Sequence, residues 1–372
     1  MTTHAPRVLD LFAGPGGWSQ GLRALGIREI GIEIDPAACA TRTAAGHTTI
    51  RADVATYPTA PLRRRVSGLI ASPPCQTFST AGLRAGNDDM DLCHQALDDI
   101  ARGNDTRATL RAACADPRSL LVVEPLRYAL DLRPEWIALE EVPAVVPLFE
   151  HTAHLLHRIG YSTWVGVLNS ADFGLPQTRR RAFLLASRTR PALSPEPTHA
   201  DVPQFDLFGV CLSPWVSMAD ALDLPPGIKV NTRGDRPTDK KGRAAGGNEF
   251  SADGPSNALT GRSRSWKLRS GQGWKLPAGR SAGNGIARFE RAISEPSFTI
   301  TGSANRCKWV RDGVEERNLA LAEAAVLQSF PADYPWAGSR TKQFEQIGNA
   351  VPPLLATAAL RPLLTAALEV AA

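Results

Sequence analysis

Apolar and polar positions along the first half of the chain follow two rhythms. Short, mostly apolar runs recur at Val8–Phe12, Glu29–Ile34, Gly68–Ser72, Trp136–Glu140, Thr163–Leu168 and Ala182–Ser187, and each reads as a buried strand. Between several of them lie stretches with helical spacing, among them Trp18–Leu25 and Pro36–Ala45. Strands that alternate with helices predict an α/β fold with a mostly parallel, doubly wound, Rossmann-like sheet. After about Arg188 the long periodic runs stop, and the chain turns rich in Gly, Pro, Ser and Arg with isolated Trp. Helical patterns return in "LALAEAAVLQSF" and "VPPLLATAALRPLLTAALEV". The expected organisation is a first domain over 1–187 with an inserted segment at about 81–115, a smaller loop-rich domain over 188–310, and a return to the first domain over 311–372.

Two stretches of the loop-rich part resemble each other. "GPSNALTGRSRSWK" and "EPSFTITGSANRCK" share P-S-x-x-[LI]-T-G, and each ends on a lysine at the same offset, Lys267 and Lys308. The pattern fits either two strand-loop units or a chance match in a Ser/Gly-rich region.

Composition adds limits. The chain has 372 residues and is 43% apolar and 21% charged, enough for a substantial core. No apolar run is long enough to span a membrane, and the N-terminus carries no signal-peptide pattern. Six scattered cysteines without a CxxC pair suit a reduced cytoplasmic protein and give no zinc or disulfide framework. The net charge is +5 but uneven: residues 229–291 hold fourteen Lys or Arg against five Asp or Glu. A basic segment on a mildly acidic body predicts a localised polyanion-binding surface, with a solvated basic loop as the plainer alternative.

Candidate chemistry clusters at strand ends. "VLDLFAGPGGWSQGL" joins a strand to a helix through Phe12, Ala13, Gly14, Gly16 and Gly17, where missing Cβ atoms let a ligand approach the backbone. The spacing does not match the Gly-x-Gly-x-x-Gly pyrophosphate fingerprint, which argues against a nicotinamide oxidoreductase. Glu33 and Ile34 end the second strand, where a carboxylate suits ribose hydroxyls, and Asp53 and Val54 follow a further segment, where an acid suits an adenine amino group. Acids at successive strand ends point to an adenosine-bearing cofactor. "SPPCQTFS" then sets Cys75 on a stiff turn after Pro74. Taken alone, Cys75 reads as a small core residue or as a nucleophile. "LEEV" places Glu140 at another strand end, and "QTRRR" brings Gln177, Arg179 and Arg181 at alternating positions, on one face if extended. A thiol, a carboxyl group and guanidinium groups together suit attack on an electron-poor ring.

In this order the segments "DLFAGPGG", "GIEID", "ADV", "SPPCQTFS", "LEEV", "QTRRR", "RNLALAEAAVLQSFPADY" and "QIGNAVPP" resemble the motifs of the DNA cytosine-5 methyltransferase family, of the bacterial restriction-modification or orphan type. The resemblance covers nearly the whole chain, with the loop-rich part in the place of the target recognition domain. It implies an S-adenosylmethionine-dependent enzyme, with S-adenosylhomocysteine as product and no metal, that flips a cytosine out of duplex DNA. By motif, Cys75 adds to C6, Glu140 acts at N3, Arg181 meets the base O2, Arg179 supports Cys75 and Glu140, and the Pro74 carbonyl accepts from the base amino group. Phe12, Ala13, Gly14, Gly16, Gly17, Glu33, Ile34, Asp53, Val54, Leu121, Asn349 and Val351 are then expected to line the cofactor site. Arg262, Arg264, Lys267, Arg269, Arg306 and Lys308 are candidate DNA contacts, while Trp266, Trp274 and Trp309 wedge or pack. The expected partners are double-stranded DNA and, acting separately, a cognate restriction endonuclease, with the enzyme itself a monomer. Two other readings remain: a transfer-RNA cytosine-5 methyltransferase, and a non-catalytic DNA-binding paralogue.

Two departures from the family stand out. Its Glu-Asn-Val becomes Glu140-Glu141-Val142. The segment between "QTFS" and "DPRSLL" is long, and residues 88–105 hold six aspartates against one arginine. Such a segment is unfavourable beside phosphates and is expected to pack on the body. The series His151, His154 and His157 lacks a partner acid or cysteine in sequence and is read as a helix face rather than a metal site.

Overall fold

Val8–Leu11 is buried along its whole length and forms β1 of a computed structural model that describes residues 7–78, 85–203, 205, 209, 211–224, 228–231, 249–251, 253–257, 259–260, 267–270, 300–301, 308–311 and 315–369. The chain continues through α1 (Gly17–Ala24), β2 (Glu29–Glu33), α2 (Pro36–Ala44), β3 (Thr48–Arg51) and β4 (Gly68–Ala71). Next come α3 (Ala85–Asp88), α4 (Met90–Ala101), α5 (Arg107–Ala113), α6 (Glu124–Leu132), β5 (Trp136–Glu141), α7 (Val146–His157), β6 (Ser162–Asn169), β7 (Gln177–Thr178) and β8 (Arg180–Ser187). Short strands β9 (His199–Ala200) and β10 (Ser213–Pro214) precede α8 (Met218–Leu222). The loop-rich region holds β11 (Ile228–Asn231), β12 (Glu249–Ser251), β13 (Ser256–Asn257), β14 (Leu259–Thr260), β15 (Lys267–Ser270), β16 (Ile300–Thr301), β17 (Lys308–Arg311) and β18 (Glu315–Asn318). Helices α9 (Leu321–Leu327), α10 (Arg340–Asn349) and α11 (Pro353–Glu369) complete the chain.

Two compact units result. The first comprises residues 1–168, 180–196 and 351–372, the second 169–179 and 197–350.

In the first unit seven strands form one sheet in the order β3-β2-β1-β4-β5-β8-β6. Strands β1 to β5 run parallel, and β8 joins β5 antiparallel with Glu140 opposite Phe183. Every apolar run read as a strand contributes to this Rossmann-like sheet. The pattern missed β3, "TTIR", whose residues are only half-buried or exposed and therefore carry no apolar run. Both faces of the central strands are covered, as continuous apolar runs require. Leu9, Leu11, Leu69, Ala71, Ile137 and Leu139 meet α4, α6 and α7 in one core. On the other face α1 lies against α11, with Thr357 Oγ1 donating to the Gly21 carbonyl at 3.2 Å. A Cβ at Gly21 would overlap that of Ala356, so glycine is what allows the two helices to approach.

A buried cation ties the glycine-turn end of this sheet together. Arg42 of α2 is fully buried and donates to Ala13 O (3.3 Å), Ser19 Oγ (2.8 Å), Glu29 Oε1 (2.9 Å), Thr48 O (3.4 Å) and Thr49 Oγ1 (3.0 Å). Asp10, also fully buried, lies 3.7 Å from the same guanidinium. Burial pushes the Asp10 pKa up to about 8 against the opposing pull of Arg42, with Glu29 and Glu33 adding to the rise.

Between pH 4 and 8 the folded chain therefore holds a proton that the unfolded chain releases, so this group's stabilising contribution falls as pH rises. His47, pushed down to about 4 by burial, acts with the opposite sign, but above about pH 7 it is neutral in both states. Asp10→Asn should thus gain about 1 kcal/mol relative to wild type between pH 7 and 8. Urea midpoints of both proteins at the two pH values check this, and parallel wild-type and variant curves would refute it.

Several acids of the inserted segment find their partners within the first unit. Asp89 accepts from Ala115 N and Asp116 N at 2.7 and 3.1 Å, and Asp99 accepts from Thr106 Oγ1 at 2.8 Å. Asp98 lies 3.2 Å from His151 Nε2, whose other ring nitrogen sits 2.9 Å from His94 Nδ1. Helix α4 is thereby fastened to α7, on which His154 and His157 are exposed.

In the second unit the two similar segments align strand by strand. Strands β14 and β16 pair parallel with Leu259 opposite Ile300 and Thr260 opposite Thr301. Strands β15 and β17 also pair parallel, with Lys267 opposite Lys308. Each pairing joins equivalent positions of the repeat, which favours two strand-loop units over a chance match. Strands β12-β11-β15-β17-β18 make a five-stranded sheet.

Candidate active site

The strand order reverses between β1 and β4, and ligands of open α/β sheets bind beyond the C-terminal strand ends at such a switch point. Leu11 pairs with Ala71 and Ala71 with Leu139. The glycine turn after β1, the Cys75 turn after β4 and Glu140 near the end of β5 therefore emerge side by side. Beyond β1 in the other direction come Glu33 at the end of β2 and Asp53 just after β3.

The turn after β1 is conformationally demanding. Phe12, Gly14 and Gly16 have φ of 57°, 51° and 103°, and a non-glycine residue in the left-handed region marks strain that the surroundings must hold. Arg42 holds it through Ala13 O, and Glu33 through Gly14 N, 2.8 Å from Glu33 Oε2. Glu33 Oε1 accepts from Ile34 N and Asp35 N at 2.8 and 2.7 Å. The same carboxylate proposed for a ribose thus also closes the turn that approaches it. A Cβ on Gly17 would overlap the Val351 carbonyl, so Val351 backs the first residue of α1. Ile34 is largely exposed and Val54 buried.

Asp53 Oδ1 accepts from Ala55 N at 2.9 Å. An open cleft of about 210 Å³ is bounded by residues that include Ala55, Thr56, Arg107, Arg111, Leu121 and Glu124. Acids on successive strand ends and a turn that carries no Cβ at Gly14, Gly16 and Gly17 fit an adenosine-bearing cofactor.

On the chemical side, Cys75 opens a short 3-10 turn, Cys75–Thr77. The approach to it is braced where Trp18 Nε1 donates to Ser72 Oγ at 2.9 Å, and its exit where Arg118 Nη1 donates to Gln76 Oε1 at 2.8 Å. Pro74 is half-buried and Pro73 buried. Arg181 Nε lies 3.1 Å from Glu140 Oε1, with both side chains nearly buried. Arg181 Nη1 also donates to Arg180 O at 2.7 Å. Glu141 points the other way along β5 and is buried. Its Oε2 accepts from Val142 N at 2.6 Å, while Oε1 has no hydrogen-bond partner among the described residues. Burial, with Glu140 nearby, pushes its pKa well up against the opposing Val142 hydrogen bond and Arg181.

The "QTRRR" stretch is not one continuous strand. Gln177 lies on β7, which pairs with β13, whereas Arg181 lies on β8 of the large sheet. Gln177 and Arg179 belong to the second unit and are fully buried there. Gln177 Nε2 donates to Leu327 O (3.0 Å) and Gln328 Oε1 (2.7 Å), and its Oε1 accepts from Leu259 N (3.2 Å). Arg179 Nη1 donates to Leu259 O (3.0 Å) and Gly348 O (2.9 Å). The guanidinium beside Glu140 is that of Arg181. Asn349 ends α10 in the second unit and is exposed.

Lys267, Arg269 and Lys308 fall on strands β15 and β17, as does Trp309. Arg262, Arg264, Arg306, Trp266 and Trp274 lie outside the described residues. Arg42 was not legible as a site residue, although it shares a helix face with Ala38, four positions earlier, which is the one sequence signal that it faces inward.

The family model described as C-5 cytosine-specific DNA methylase matches residues 6–95 and 107–364. The chain is 28% identical over 369 residues to the Type II methyltransferase M1.HphI of Haemophilus parahaemolyticus, covering 94% of this chain and 84% of that protein. It is 28% identical to the Type II methyltransferase M.AplI of Arthrospira platensis, covering 94% and 83%. Among solved structures, the S. pombe Dnmt2 methyltransferase superposes with a TM-score of 0.57 at 18% identity, covering 97% of this chain and 99% of that one. The Entamoeba histolytica methyltransferase EhMeth gives 0.58 at 12%, covering 98% and 99%. At those identities the superpositions speak to the fold.

Proposed function

Because the chain belongs to the C-5 cytosine-specific DNA methylase family, we propose how its own residues divide the work of methylating cytosine at C5 in DNA. It is an S-adenosylmethionine-dependent DNA cytosine-5 methyltransferase. What supports the residue assignment is one arrangement: the Cys75 turn and the Glu140–Arg181 pair lie on adjacent strand ends, next to the glycine turn.

Cytosine C5 is a poor nucleophile, so the ring must first become electron-rich. Cys75 attacks C6 as the thiolate, and Glu140 holds a proton at N3 to stabilise the electron density that develops there. Arg181 keeps the Glu140 carboxyl group in place and offers N–H donors to the base O2. The Pro74 carbonyl accepts from the exocyclic amine, which distinguishes cytosine from thymine. When bound, the cofactor supplies an electrophilic methyl group on a sulfonium centre, leaving S-adenosylhomocysteine. After C5 has taken the methyl group, loss of the C5 proton to a base restores the double bond and expels the Cys75 thiolate. The scheme needs no metal. Gly14, Gly16 and Gly17 admit the cofactor's amino-acid end, Glu33 accepts its ribose hydroxyls, and Asp53 accepts the adenine amino group beside Leu121.

The second unit, with its basic 229–291 segment, reads the duplex. Gln177 and Arg179 hold its first strands to the C-terminal helices rather than touch the base. Lys267, Arg269 and Lys308, together with Arg262, Arg264 and Arg306, are the phosphate or base contacts. A specific duplex sequence as target, a restriction endonuclease acting on the same sequence and action as a monomer complete the reading. No helix among the described residues is long and apolar enough to cross a membrane.

The test is incubation with labelled cofactor and either duplex DNA or transfer RNA carrying 5-fluorocytosine, which cannot lose a proton from C5. A covalent protein–DNA complex is expected with DNA only. Trapping on RNA alone, or methylation of DNA without any trapped complex, would overturn the assignment.

A further inference from the structure

The inserted segment reaches the cofactor edge at the start of α5. Arg107 is the first residue of α5, and its guanidinium is engaged on three sides. Nη1 donates to Ala55 O at 3.1 Å and to the two Glu124 oxygens at 2.6 and 2.8 Å. Nε and Nη2 hold Asp105 at 2.8 and 2.7 Å. Glu124 is nearly buried and is shared with Arg127, whose Nε donates to it at 2.7 Å. Arg127 Nη2 in turn donates to Val54 O at 2.7 Å, and Tyr128 Oη to the same carbonyl at 2.9 Å. Donors from α5 and α6 thus grip consecutive carbonyls of the turn that follows Asp53.

That turn is what aims the Asp53 carboxylate. Ala55 N–H donates to Asp53 Oδ1, and the N–H groups of Thr56 and Tyr57 close on Asp53 O at 3.2 and 2.9 Å. Ala55 therefore carries Asp53 on its amide and Arg107 on its carbonyl. The cleft beside Leu121 is bounded by Ala55, Thr56 and Arg107 together. The family model leaves residues 96–106 unmatched and resumes at Arg107.

We propose that Arg107 is a positioning residue for the cofactor's adenine: from the inserted segment it fixes the 53–57 turn, and through Ala55 it fixes the direction in which Asp53 accepts the exocyclic amine. This rests on the assignment of Asp53 to that amine. A planar fork is required, because one guanidinium must satisfy Asp105, Glu124 and Ala55 O at fixed angles, which an ammonium group cannot do. The inserted segment then acts on cofactor selection and not on DNA.

The experiment measures, by calorimetry on the full chain, the dissociation constants of S-adenosylhomocysteine and of its analogue with hydrogen in place of the 6-amino group. The ratio of the two constants within one protein does not depend on how much of that protein is folded. Wild type should favour the amino-bearing ligand roughly tenfold, and Asp53→Ala should bring the ratio close to one. Arg107→Gln and Arg107→Lys should bring it to within about threefold of one, with duplex DNA affinity unchanged. Arg107 variants that keep the wild-type ratio overturn the proposal while leaving Asp53 in its role, even if both ligands bind more weakly. A wild-type ratio near one, or an unchanged ratio in Asp53→Ala, removes the Asp53 assignment and the proposal with it.

Discussion

Cys75→Ala is expected to abolish methyl transfer, lowering turnover by at least about 10⁴-fold. The size follows from the order of events. Without a sulfur at C6 the ring never becomes an enamine, and C5 is then too weak a nucleophile for any arrangement of the remaining residues to compensate. The Trp18–Ser72 and Arg118–Gln76 hydrogen bonds that brace the turn on either side are left in place by the substitution. Binding of S-adenosylhomocysteine and of duplex DNA should accordingly stay within about threefold of wild type. Label transfer, calorimetry with S-adenosylhomocysteine and a DNA shift assay measure the three quantities separately. Turnover within an order of magnitude of wild type would take Cys75 out of the nucleophile role.

Glu140→Gln comes next, with kcat expected to fall about 10³-fold while the DNA KM changes little. Glutamine keeps the length and one acceptor, but it cannot hold an acidic proton at N3 as charge builds on the ring. The substitution also leaves the Arg181 guanidinium, 11% exposed, without its carboxylate at 3.1 Å. A modest loss of stability should accompany the kinetic defect. Melting the variant beside wild type separates the two effects, since a structural defect alone lowers the active fraction and not the rate per folded molecule. A raised KM with unaltered kcat would make Glu140 a binding residue instead.

The sequence carried the sheet and the edge where chemistry gathers, because both depend on local signals. Apolar runs covered on two faces stand out, and so do acids and glycines placed at their ends. Strand β3 did not stand out, since an edge strand with exposed Thr48 and Arg51 has no apolar rhythm to read. Long-range hydrogen bonds were likewise out of reach. Glu33 could be assigned to a ribose from its place after a strand. Its bond to Gly14 N, nineteen residues away, depends on how two turns meet. The alternation of Gln177, Arg179 and Arg181 suggested one face, yet the backbone changes sheets after Thr178. Gln177 and Arg179 then bond to carbonyls of segments some 80 to 170 residues later. Alternation describes a strand only while the strand lasts.

The acidic inserted segment changed meaning most. Counted as charges, its aspartates argued only for distance from phosphate. Placed in space, Asp89, Asp98 and Asp99 are local fasteners, and the group that hydrogen-bonds Ala55 is a cation.

The division of the chain also bears on protein engineering. The second unit is assembled from two separate pieces, 169–179 and 197–350, and Gln177 joins them by bonding to Leu259, Leu327 and Gln328. A chimaera that exchanges only 197–350 with a relative leaves a foreign glutamine-bearing strand facing backbone groups it did not evolve with. The unit is therefore a discontinuous cassette: the eleven-residue piece has to travel with the larger one, and four splice points, not two, define a graft.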